Sequence, residues 1–324
     1  MKFEAVKITK VLEQNFTHLM RDFYEMQTEY LASLNIIYDD LDASLVAMVL
    51  TNQLYKNTIE SNNSKEKISF RNFYQKNNFN LPVAFFKIKE ISSILNLPRE
   101  TVRRKKEKLI KDKIILIDKK NKLYTLNAEK VDKHVLELQI HNLSKFLSKF
   151  SNYFIKNKFI ITDISRDQIK KDVDEKFLIY LTKFLDFQIA YFSNLKNIMD
   201  IESIFIVLLC NLNTLSAKEN LNEKPLNLKD TFYKFHKLSN ITGLNATSIS
   251  EITKIPRTTV LRKIANLEKN GILKKDKYKR YSSDNLTNSN ESKKIFSAVE
   301  YNLKILGIFF SQCLETYVDK KLAI

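Results

Sequence analysis

The chain is poor in residues that break helices. Its 324 residues include only 3 glycines and 4 prolines. These two residue types interrupt helices most strongly, so the chain is expected to be mainly α. The same scarcity excludes common nucleotide-binding designs. A P-loop or a Rossmann fingerprint needs clustered glycines so that backbone can approach phosphate. Gly243, Gly271 and Gly307 are instead scattered. Cysteine is equally scarce. Cys210 and Cys313 stand far apart and match no metal-ligand spacing, which points to a reduced, cytoplasmic protein without a metal site. Long apolar runs are missing too. The longest, Ile204 to Cys210, is far too short to cross a bilayer, and the first ten residues, MKFEAVKITK, lack the apolar core of a signal peptide. His134 and His141 lie seven apart on one helix face, too few ligands for a metal. With no nucleophile motif either, the expectation is a non-enzyme without a cofactor and without a membrane partner.

What is present is apolar mass, positive charge and repetition. Hydrophobic residues make up 44%, enough for a folded core, and the formal charge is +17. The charge is concentrated. Residues 99–122 carry a net +7 and residues 254–280 a net +8, whereas the first 60 residues are net −4. A general lysine enrichment would have spread evenly.

The repetition falls in three blocks. Phe16, Met20, Phe23, Gln27, Tyr30, Leu34 and Ile37 follow the three–four spacing of a helix packed along one stripe. Adding 161 gives Phe177, Leu181, Phe184, Gln188, Tyr191, Leu195 and Ile198. LPRETVRRK (97–105) recurs as IPRTTVLRK (255–263), a shift of 158. Glu137, Phe146, Leu147 and Ser148 recur as Glu300, Phe309, Phe310 and Ser311, a shift of 163. Shifts that change between blocks are what loop insertions after a duplication produce. The boundary is expected near residue 160, giving repeats 1–159 and 160–324.

Each repeat is expected to begin with a long helix (about 12–37 and 168–198) and a shorter apolar one (42–58 and 201–214). A polar loop follows at 61–80 and 216–230. Two short helices, a hairpin and a long terminal helix (128–157 and 290–319) complete the repeat. The paired short helices fall at about 88–111 and 247–269. In the first pair Ile88, Ile91, Ile94 and Leu95 mark one helix. Asn96 sits at the turn, and Pro98 is placed at the first helical position. Val102 and Leu109 face inward with Lys106 covering the face between them, while Arg99, Glu100, Arg103 and Arg104 face out. In the second pair Val260, Ile264 and Leu267 face inward and Arg257, Thr258, Thr259 and Arg262 face out. Hairpins are expected at 114–126 and 272–282, with Lys119, Lys120, Lys122, Lys277, Lys279 and Arg280 near their tips.

These blocks resemble the winged helix-turn-helix of MarR-type bacterial regulators. The resemblance is carried by the apolar–Pro–Arg–x–Thr–Val–x–Arg–Lys pattern, the apolar Gly-Ile-Leu of NGILKK (270–275) and the basic hairpin. KDKIIL (111–116) keeps the apolar part and loses the glycine, and the turn glycine is replaced at Lys254. The resemblance implies two winged units joined by a long-helix bundle around a pseudo-twofold axis. It implies double-stranded DNA as partner, with Arg99, Thr101, Arg103, Arg104, Arg257, Thr259, Arg262 and Lys263 as groove or phosphate contacts. Glu100 and Thr258 are counted with them as outward residues of the same helices. The expected molecule is a single-chain pseudo-dimer acting as a nucleoid-associated transcriptional regulator. Dimerisation of the whole chain and an unidentified small-molecule effector stay open. The alternatives are a plasmid-type replication initiator and a tandem winged-helix scaffold for protein contacts or chromosome structure.

Overall fold

Low helix-breaker content has the expected outcome. The computed structural model describes residues 4–61, 69, 84–127, 130, 133–156, 166–220, 226–234, 243–283 and 290–318. Among these it is mainly helical, with thirteen helices and two small antiparallel sheets. The boundary expected near residue 160 and nearly all of the 61–80 loop lie outside the described residues.

The expected first long helix is two helices, α1 (Ala5–Gln14) and α2 (Phe16–Tyr38). Asn15 separates them with non-helical backbone, φ −119° and ψ 35°, and its side-chain amide donates to the Val11 carbonyl at 2.9 Å. The second repeat is divided at the equivalent place, into α7 (Arg166–Glu175) and α8 (Phe177–Leu195). Lys176 at this break corresponds to Asn15 at the shift of 161. Asparagine and lysine give no breaker signal of proline's kind, so period alone did not show the division. The other elements are α3 (Leu41–Ser61), β1 (Ala84–Phe85), α4 (Ile88–Leu95), α5 (Arg99–Lys111), β2 (Ile115–Asp118), β3 (Leu123–Leu126) and α6 (Lys133–Lys156). After α8 come α9 (Ile201–Asn220), α10 (Leu228–Lys234), α11 (Ala246–Thr253), α12 (Arg257–Lys269), β4 (Lys274–Lys275), β5 (Tyr281–Ser282) and α13 (Asn290–Val318).

The chain forms two compact units, and each draws on both sequence repeats. One comprises residues 42–193 and the end of α13 from Phe309; the other comprises residues 4–41 and 194–308. In the first unit α8, from the second repeat, packs with elements of the first. Asp186 of α8 accepts hydrogen bonds from Asn52 (2.7 Å) and Lys56 (2.6 Å) of α3. The Ser193 carbonyl accepts from the Asn96 side chain at 3.2 Å. The core beside it is aromatic. Phe310 lies 5.3 Å from Phe150 and 5.4 Å from Phe154, and Phe187 stacks on Phe309 at 4.9 Å. A buried polar knot sits at the α7–α8 break. Asp172 accepts from the Tyr180 hydroxyl at 2.6 Å and pairs with Lys176 at 3.2 Å, and Lys176 also donates to the Thr316 carbonyl. Burial and the Asp172 carboxylate push the Tyr180 phenol upward.

The second unit is built the other way round. Here α2, from the first repeat, packs against α9 and α11 of the second. Asn35 donates to the Thr253 carbonyl at 3.0 Å, and Thr17 and Leu226 exchange hydrogen bonds. Gln27 of α2 and Gln188 of α8, equivalent across the repeat, are both fully buried. Their amides have no hydrogen-bond partner among the described residues.

Candidate nucleic-acid interface

From α4 to the turn after α5, and from α11 to the turn after α12, the two segments share the same set of hydrogen bonds. Ser92 donates its hydroxyl to the Leu97 carbonyl at 2.6 Å, and Ser250 donates to Ile255 at 2.7 Å. The first bonds of the following helices run from the Val102 N–H to Pro98 and from the Val260 N–H to Pro256, both 3.0 Å. The turns leaving those helices run from the Ile114 N–H to Leu109 and from the Ile272 N–H to Leu267, both 2.9 Å. Every one of these pairs is related by the shift of 158. Pro98 and Pro256 are the N-cap residues, one place before the helix. Their carbonyls are used and the N–H they lack would have had no partner.

Each block holds three left-handed residues, one of them in the hairpin turn at Lys122 (φ 54°) or Lys279 (φ 58°). Asn96 (φ 51°) and Lys254 (φ 58°) close α4 and α11. Lys113 (φ 56°) and Gly271 (φ 68°) occupy the next pair of equivalent positions. Lys113 follows the same backbone path as Gly271, and Lys254 the same path as Asn96, each with a Cβ in a region that disfavours it.

The hairpins differ more. In the first block β3 is the centre of a three-stranded antiparallel sheet, with β2 on one side and β1 on the other. Strand β1, pairing Ala84 with Tyr124 and Phe85 with Leu123, was not anticipated, because a two-residue strand has no readable period. In the second block Leu244 pairs with Tyr281. Gly243 lets these backbones approach: a Cβ there would stand 2.6 Å from the Tyr281 carbonyl oxygen.

Most of the expected contact residues lie on the open side. Arg99, Glu100, Arg103 and Arg104 of α5 are exposed, as are Arg257, Thr258 and Arg262 of α12. Thr101 and Thr259 are half-buried. Val102, Leu109, Val260, Ile264 and Leu267 face the core at no more than 1% exposure. Lys106 lies over the Phe86 and Tyr124 rings, 5.2 Å from each centroid, where the second block has buried Ile264. Glu100 and Arg103 form an ion pair one turn apart. Arg257 donates to the Thr247 hydroxyl at 3.3 Å. Lys119, Lys120, Lys122, Lys277 and Lys279 are exposed at the hairpin tips, whereas Arg280 is half-buried and paired with Asp276 at 2.8 Å. Asp118 organises the first tip by accepting from the Asn121 side chain and from the backbone of Asn121 and Lys120, which holds its carboxyl below the ordinary value.

Lys263 departs from the expectation. Its ammonium sits 2.7 Å from Asp200 and 3.0 Å from Glu202, and its side chain is only 14% exposed. Asp200 also accepts from the Ser203 N–H and hydroxyl at the start of α9. Lys263 therefore anchors α12 to α9 and is turned away from the arginines. Sequence spacing gave no hint of this, because Asp200 lies 63 residues from Lys263. Burial pushes the Lys263 amine down, but its two carboxylate partners outweigh that and raise it. Burial likewise pushes Asp200 up, and the bonds from Lys263 and Ser203 hold it below the ordinary value.

The described residues hold no group of three or more potential metal ligands, and no helix long and apolar enough to cross a membrane. Cys210 and Cys313 are free, and burial pushes both thiols up to about 12. A small apolar crevice, no larger than a water site, lies between α6, α7 and α8, lined by Ile140, Leu143, Val173 and Phe177 among others. Small-molecule pockets are far larger and carry a few polar anchors. The Tyr180 hydroxyl at this cleft is already given to Asp172. Comparison with family models, characterised proteins and solved structures finds no match for this chain.

Proposed function

We propose that the chain binds double-stranded DNA through two winged helix-turn-helix units of MarR-like pattern, and acts as a transcriptional regulator. One observation carries the reading. Two blocks that share the hydrogen bonds of their turn and second helix each present a helix whose open face carries arginines, followed by a lysine-tipped hairpin. Phosphate neutralisation by such clusters supplies most non-specific affinity for DNA, and outward side chains on the second helix supply base contacts.

The two units are unlike readers. Glu100 of the first corresponds to Thr258 of the second, and Arg103 corresponds to Leu261, which is 38% exposed. Arginine pairs with guanine in the major groove; leucine offers only apolar contact, as to a thymine methyl. A single chain carrying both therefore favours an asymmetric site over a palindrome.

Selection of bound sequences from random duplex DNA, followed by salt titration, tests this. The expected result is a non-palindromic consensus, with affinity falling steeply as salt rises. Arg103→Ala relaxes specificity in one half of the site only. Lys119→Ala weakens all sequences alike and shallows the salt slope by about 1. Salt-insensitive or negligible binding would remove the reading and favour a protein-scaffold role.

A further inference from the structure

We infer that the β4–β5 hairpin carries a base-stacking contact: Tyr278, at its tip, stacks on a nucleobase that has left the duplex, so that locally opened DNA is the preferred ligand of the second block. This rests on the DNA-binding reading and names the form of DNA that one of its two sites favours.

Tyr278 is 63% exposed, on a hairpin that also carries Lys274, Lys275, Lys277, Lys279 and Arg280. A lone exposed aromatic is ordinary on a protein surface. This one is held in place. The Asp276 carboxylate accepts from the Tyr278 N–H (2.8 Å), the Arg280 N–H (2.9 Å) and the Arg280 guanidinium (2.8 Å). The Asp276 N–H donates to the Arg280 carbonyl at 2.9 Å, the Lys279 N–H donates to Asp276 at 3.1 Å, and Lys279 closes the turn at φ 58°. The tip is thus ordered by its own bonds, and little conformational freedom is left to lose on binding.

Its neighbours suit the same purpose. The Lys277 ammonium lies 5.0 Å and the Arg280 guanidinium 4.7 Å from the ring centroid. An aromatic face flanked by cations is the combination by which proteins hold unpaired nucleotides: the ring takes the base and the cations take the phosphates. A base arriving on the ring displaces Lys277 towards the adjoining phosphate, while Arg280 stays held by Asp276. Phosphate binding alone would need no ring. The first hairpin offers no such ring: its tip is Lys119, Lys120, Asn121 and Lys122, with the Asn121 amide bonded back to Asp118 at 2.7 Å. The stacking contact therefore belongs to the second block only.

The test uses the whole chain and two fluorescent AT-rich duplexes of equal length, one fully paired and one with a short central mismatched bubble containing 2-aminopurine. The wild-type chain should bind the bubble roughly tenfold more tightly than the paired duplex and quench the 2-aminopurine. In Tyr278→Ala the two affinities should converge and the quenching disappear; Tyr278→Phe should retain both. Equal wild-type affinity for the two duplexes, or a bubble preference that survives Tyr278→Ala, overturns the inference while leaving duplex binding standing. No binding to either duplex overturns the DNA-binding reading, and this inference with it.

Discussion

Asn35 of α2 donates its side-chain amide to the backbone carbonyl of Thr253, the last residue of α11, at 3.0 Å across 218 residues of sequence. One partner belongs to the first repeat and the other to the second. The first unit holds the reciprocal contact, in which Asn96 of the first repeat donates to Ser193 of the second. Each candidate DNA-reading block is thus braced by the long helix of the opposite repeat.

Neither repeat should therefore fold well alone. Residues 1–159 and 160–324 expressed separately each lack a long helix that one compact unit requires. Each fragment should show helical circular dichroism without a cooperative melt, and mixing or co-expressing the two should restore one. A cooperative transition from either fragment by itself would contradict the exchanged packing. In the intact chain, Asn35→Ala should cost about 1 kcal/mol, the usual worth of one partly buried hydrogen bond.

Left-handed backbone at lysine is a correctable strain. Lys113→Gly and Lys254→Gly should each raise stability by about 0.5–1 kcal/mol, because glycine reaches positive φ without a Cβ penalty. Gly271→Ala, at φ 68° with nothing within 4 Å of the added Cβ, should lower it by a similar amount through backbone conformation alone. Denaturant midpoints at constant slope would measure all three.

The Lys263 anchor has a defined pH window. The Asp200 carboxyl is held down in the folded state, so its contribution is complete above the ordinary carboxylate value and fades as pH falls through the lowered one. Lys263 is held up, so its contribution is complete below the ordinary lysine value and fades as pH rises through the raised one. The Tm difference between wild type and Lys263→Met should be flat from about pH 5 to pH 9 and shrink at both extremes. If DNA binding holds, Lys263→Met should keep the wild-type salt slope, whereas Arg262→Ala should shallow it by about 1. An equal loss of slope in both would return Lys263 to the phosphate contacts.

The buried glutamines should behave against the usual direction of core mutation. A buried polar group without a partner costs about 1–3 kcal/mol. Gln27→Leu and Gln188→Leu should therefore each raise the midpoint of unfolding. A fall of similar size in either would mean that its amide is bonded after all.

The helical class and the inward faces of α5 and α12 were legible in the sequence. Both rest on interactions between residues a few positions apart. Val102 and Leu109 in one helix, and Val260, Ile264 and Leu267 in the other, recur at helical spacing, and that spacing alone says which side is buried. Left-handed residues at Asn96 and Lys254 follow from the same local logic, because a tight turn between two helices demands them whatever surrounds it.

Three features were decided only by tertiary structure. Period says that α2 and α8 have an apolar stripe but not which repeat that stripe packs on; the contacts of Asn35 and of Asp186 settle it. Charge says that Lys263 is cationic but not that two acids 63 and 61 residues earlier claim it. Alternation cannot reveal a two-residue strand such as β1, which exists because β3 offers it a free edge. Local hydrogen bonds and helical spacing are set by neighbours in the chain. The choice among distant partners is made by packing, where the long helix of either repeat, so similar in sequence, could have served either block.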